Sequence, residues 1–93
     1  MYTTRKIKDH AYAQATIRLY DNGAIECISY ETPVLLIDTQ GWVRCTGTYS
    51  QTTRKQIGWF IKDLRLPMSY QTAKLLYTDG MKMNIYTGEV VPL

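Results

Sequence analysis

The chain has 93 residues, 11 Lys and Arg against 8 Asp and Glu, one His and a formal net charge of +3. That length suits one domain, residues 1–93, with no room for two independent cores, and 45% hydrophobic with 20% charged residues is a globular rather than a disordered composition. No apolar run approaches the roughly 18–20 residues of a membrane span, and the N-terminal Met-Tyr-Thr-Thr-Arg-Lys-Ile-Lys-Asp-His lacks the apolar stretch of a secretory signal. A cytoplasmic protein is expected.

Residues 1–10 read as a basic arm free to flex. From Ala13 to Tyr20 apolar and polar residues alternate: Ala13, Ala15, Ile17 and Leu19 against Gln14, Thr16, Arg18 and Tyr20. Period two with one apolar face predicts a half-buried strand. Asp21-Asn22-Gly23 tolerates positive φ and predicts a tight hairpin into a second strand, Ala24–Tyr30. A second pair follows, Val34–Asp38 and Trp42–Thr46, joined through Thr39-Gln40-Gly41. Four strands in meander order is the economical arrangement.

After Tyr49 the period changes. Ile57, Phe60, Ile61 and Leu64 fall at i, i+3, i+4 and i+7, one stripe of a helix. Ser50 can cap its start, and Thr53 with Gln56 offers a competing capping box three residues later. Pro67 is expected to end the helix. Ser69 can cap a second, shorter helix to about Tyr77, closed by Gly80, and Lys82–Val91 reads as a last strand or small hairpin. The fold class is α+β, a small antiparallel sheet of about four strands covered by one or two helices.

Chemistry is sparse. Cys27 and Cys45 lie 18 positions apart with no C-x-x-C spacing, and His10 is the one histidine, so no metal site is expected. The two thiols read as buried small hydrophobes, with a disulfide as the alternative. His10 reads as solvent-facing, the carboxylates are dispersed, and neither a P-loop nor a G-x-G-x-x-G is present. Neither catalysis nor a cofactor is expected.

The surface is more informative. Trp59 lies opposite the apolar stripe, between Lys55 and Lys62, and either anchors a partner or packs under the second helix or the tail. Tyr20, Trp42 and Arg44 project from the polar side of the strands. Such residues dominate binding hot spots, stack bases in single-strand binders, and also form ordinary cross-strand pairs. Arg54, Lys55, Lys62 and Arg65 on the helix, with Arg5, Lys6 and Lys8 in the arm, would engage phosphates if they converge.

The segment Tyr49-Ser50-Gln51-Thr52-Thr53-Arg54-Lys55-Gln56-Ile57-Gly58-Trp59-Phe60, with Ser29-Tyr30-Glu31-Thr32-Pro33-Val34 upstream, resembles small proteins of bacteriophages and mobile elements. In those a Y-x-T-x-V strand precedes a Y-S-x-T-T-x-x-x-I-x-x-F helix start, and the resemblance spans roughly residues 29–64. It implies an accessory gene product in a bacterial cytoplasm. With the aromatic surface, it leads to the expectation of a non-enzymatic protein that binds and blocks a host protein machine, as an anti-CRISPR-like inhibitor does. The alternative is a small nucleic-acid binder using the basic helix and sheet aromatics. A homodimer closed through an edge strand or the tail around Val90 and Val91 is a third possibility.

Overall fold

Short turns join most of the strands, so neighbours in sequence become neighbours in space. The computed structural model describes residues 1–48 and 50–93. The strands are β1 (Tyr2–Lys6), β2 (Ala15–Tyr20), β3 (Ile25–Ser29), β4 (Thr32–Ile37), β5 (Trp42–Cys45), β6 (Met81–Asn84) and β7 (Val90–Pro92), and the helices are α1 (Gln51–Asp63) and α2 (Tyr70–Asp79). The described residues form one seven-stranded sheet in the order β1 to β7, antiparallel throughout.

The sheet is therefore larger than the four strands read from the sequence. The basic arm supplies the first edge, where β1 pairs from Tyr2↔Tyr20 to Lys6↔Thr16, and Lys8–His10 follows as a single 3-10 turn. Four of the five β1 side chains are exposed, so the strand is held through its backbone and carries no apolar alternation. At the other edge the tail forms the β6–β7 hairpin.

Gly23 adopts φ +97 in the β2–β3 turn. Tyr30 and Glu31 make a two-residue turn between β3 and β4, with Tyr30 at φ +59, so the Y-x-T-x-V stretch begins in a turn and becomes strand at Thr32. A register shift between Cys27 and Ile28 leaves Val34 as an extra residue on β4. This bulge lets the consecutive Val34 and Leu35 both be fully buried.

One sheet face, built from Ala15, Ile17, Cys27, Leu35, Val43 and Cys45, packs in the core with Ile57, Phe60 and Ile61 of α1 and Ala73 of α2. α1 lies against β3, and α2 against β5 and β6. Ser50 caps α1, its Oγ accepting from the Thr53 backbone N–H at 3.1 Å, while Tyr49 lies outside the described residues. The Thr53–Gln56 capping box does not form, because both side chains turn inward. Ser29 Oγ donates to Gln56 Oε1 at 2.6 Å and lies 3.3 Å from Thr53 Oγ1, which joins β3 to the first turns of the helix.

α1 stops before Pro67 requires it to. Leu66 N–H bonds Ile61 C=O at 3.0 Å and Arg65 N–H bonds Lys62 C=O at 3.2 Å, with Arg65 at φ +54. These two bonds are a Schellman ending, with arginine where glycine is usual. Ser69 caps α2, and Gly80 closes it at φ +64.

Candidate functional site

Strand alternation puts the chemistry-bearing side chains of β2 to β6 opposite the helices. Thr16, Arg18 and Tyr20 alternate with the buried Ala15 and Ile17, and Trp42 and Arg44 alternate with the buried Val43 and Cys45. The register Arg18↔Glu26↔Leu36↔Arg44 runs straight across four strands of this face. An open cleft of about 520 Å³ lies here, lined by Tyr20, Glu26, Leu36, Asp38, Trp42, Arg44, Lys82 and Leu93. Tyr20, Trp42 and Arg44 therefore share one surface.

Each is held by identifiable partners. The Tyr20 hydroxyl donates to Glu26 Oε1 at 3.0 Å, and Arg18 Nη1 donates to the same oxygen at 3.1 Å. The Tyr20 ring is tilted against Tyr2 at 5.2 Å, and the Arg18 guanidinium sits 4.8 Å above the Tyr2 ring. Trp42 follows a turn in which Asp38 Oδ1 accepts from the N–H groups of Gln40 and Trp42. Asn84 ties this turn to the β6–β7 turn: its Nδ2 donates to Gln40 C=O at 3.1 Å, and its Oδ1 accepts from Tyr86 and Thr87 N–H. Lys82 Nζ lies 4.9 Å from the centre of the Trp42 ring, a cation–π contact. Arg44 is exposed and has no ion-pair partner among the described residues.

Trp59, Lys55, Lys62 and Arg54 belong to α1, on the other side of the sheet. Arg54 and Lys55 are exposed near the helix start, and Lys62 is exposed near its end. Trp59 is half-buried against the core. Neither α2 nor the tail stacks on it; His10 does, with ring centroids 3.6 Å apart and planes 10° from parallel. The expectation of a solvent-facing His10 is corrected accordingly, since the 3-10 turn after β1 carries the ring onto the helix. No spacing in the sequence signals this contact across 49 positions. Lys82, Glu26 and Leu36 were equally unmarked as site residues, although their outward alternation on paired strands was available as a signal.

The two thiols are free and buried. Cys27 and Cys45 flank Leu35 in one register row, two strand spacings apart, or roughly 10 Å, which is too far for a disulfide. Burial pushes both thiols up, away from the reactive thiolate form. Among the described residues no cluster of three or more His, Cys, Asp or Glu could hold a metal ion, and no helix is long and apolar enough to cross a membrane.

Fold and surface together define a small α+β protein whose antiparallel sheet has helices packed on one face and a polar-aromatic cleft on the other. Residues 1–73 match the family of unknown function DUF8033, and the chain belongs to that family. The matched span contains Tyr20, Trp42, Arg44 and Trp59, while Lys82 and Leu93 lie beyond it. No curated protein and no solved structure matches the chain.

Proposed function

We propose that the chain is a non-enzymatic binding protein that occupies a surface of a protein partner with its uncovered sheet face. In the setting that the phage and mobile-element resemblance implies, the partner is a host protein machine and its occupation is inhibitory, in the manner of an anti-defence protein. The observation that carries this reading is the convergence of Tyr20, Trp42 and Arg44 around Leu36 and Leu93 in one open cleft. Rigid aromatics and an unpaired arginine over apolar side chains are the composition of interface hot spots. The molecule measures 34 × 31 × 20 Å, so this broad face can supply the ~800 Å² per partner of a standard interface.

A second reading is binding of single-stranded nucleic acid, favoured by Lys82 over the Trp42 ring and by the exposed Arg44. Glu26 and Asp38 in the same cleft weigh against a polyanion and suit a protein surface of mixed charge. The two readings part under salt and nuclease. Tagged chain is incubated with bacterial lysate, half of it nuclease-treated, and washed at low and high salt. A discrete protein retained through both treatments supports the first reading. Recovery that collapses with either, leaving nucleic acid in the untreated half, replaces it with the second.

A further inference from the structure

A second cleft, of about 300 Å³, lies on the helical side between the Lys8–His10 turn and the end of α1. We propose that it binds a phosphate group, held by Lys8, Lys62 and Arg65 with His10 in its wall.

Three observations converge. Lys8, Lys62 and Arg65 all line the cleft, and none has an ion-pair partner among the described residues. The carboxylates there do not balance them. Asp63 is already engaged by the Arg5 guanidinium and by the Lys8 backbone N–H, at 3.0 Å, which leaves Asp9 against three cations. Second, Arg65 occupies the left-handed position that ends α1, at φ +54. Glycine would close the same Schellman turn without strain, and a strained side chain at a cleft is an observation from which function can be inferred. Third, the Nδ1 atom of His10 is buried and has no hydrogen-bond partner among the described residues.

Compensation of the helix dipole explains a cation such as Lys62 in the last turn of α1. It explains neither Lys8, which belongs to another element, nor an arginine where glycine is the unstrained choice. A phosphate fits this set better than a carboxylate does. It brings close to two negative charges and several acceptor oxygens to three cations, and the arginine fork matches its geometry. Arg54 and Lys55 do not line the cleft, so the basic residues read from the sequence converge only in part.

Titration calorimetry of the full chain with sodium pyrophosphate, against sodium chloride at matched ionic strength, tests the site. Saturable heat is expected for pyrophosphate alone. Lys62→Ala and Arg65→Gly should each weaken binding by about tenfold or more. Arg65→Gly removes the guanidinium while relieving the backbone, so it should melt no lower than the parent, which separates lost binding from lost folding. A parallel titration with a short single-stranded oligonucleotide distinguishes a free phosphate from a phosphodiester backbone, and Arg65-dependent binding of either supports the site. Absence of saturable heat beyond the chloride control with both pyrophosphate and the oligonucleotide, or affinity unchanged in Arg65→Gly, overturns it. This cleft and the sheet face are on opposite sides of the sheet, so either assignment can fail alone.

Discussion

At Gly41 a single hydrogen in place of a methyl group decides how the sheet face is built. Gly41 adopts φ +87, and a Cβ there would lie 2.5 Å from the Tyr86 ring and 3.2 Å from Ile85. The residue precedes Trp42, and its carbonyl accepts from Ile85 N–H at 2.9 Å. Gly41→Ala is expected to cost on the order of 1–2 kcal/mol, because it combines left-handed strain with a displaced ring. Gly58 is the opposite case. It sits within α1, and an added Cβ would meet nothing within 4 Å among the described residues. Gly58→Ala should therefore stabilise by about 0.5–1 kcal/mol, since it lowers the backbone entropy lost on folding. Urea denaturation midpoints of the two variants should shift in opposite directions. A shared direction would show that the local backbone does not decide these positions.

Between elements, the Arg5–Asp63 pair fastens the first edge strand to the end of α1. The Asp63 side chain is almost fully enclosed, at 3% exposure, and the Arg5 guanidinium beside it holds its carboxyl below the ordinary aspartate value, with help from the Lys8 N–H. A carboxyl depressed in the folded state contributes stability that is complete above the unfolded value, near pH 4, and is lost as pH falls from there through the lower folded value. Asp63→Asn should be less stable than the parent at neutral pH, and the gap should narrow on acidification below about pH 4. Equilibrium unfolding at several pH values from neutral downward measures this. A gap that stays constant would remove Asp63 from the acid response.

Contacts between elements also decide which of them can be read from the sequence. β2 and β5 are legible because they alternate and β4 because it is a short apolar run, with Asp21-Asn22-Gly23 and Thr39-Gln40-Gly41 marking the turns into β3 and β5. Ser50 and Ser69 announce their helices because a cap is a local hydrogen bond. β1 is not legible: an edge strand with exposed side chains is specified by its neighbour's backbone, so Tyr2-Thr3-Thr4-Arg5-Lys6 looks like an arm. The outward direction of Tyr20, Trp42 and Arg44 follows from period two, whereas the placement of Lys82 over Trp42 depends on β6 returning to pair with β5 after two helices. The His10–Trp59 stack is likewise set by tertiary packing alone.

For the whole molecule, the helices divide the surface into two chemically different sides. One side presents α1 with Arg54, Lys55 and the basic cleft at its end, and the other presents the sheet with its aromatic cleft. Both sheet edges carry features that discourage open-ended strand pairing: Arg5 and Lys6 on β1, and Pro92 on the three-residue β7. The sheet face is thus better suited than the edges to a specific partner. The measurement that tests this most directly is recovery of protein partner from nuclease-treated lysate by three baits: the parent chain, Trp42→Ala and Lys55→Ala. Circular dichroism establishes that each is folded. Loss of the partner with Trp42→Ala and its retention with Lys55→Ala is the predicted result. Retention with Trp42→Ala, or loss with Lys55→Ala alone, would contradict it and move the interface to the helical side.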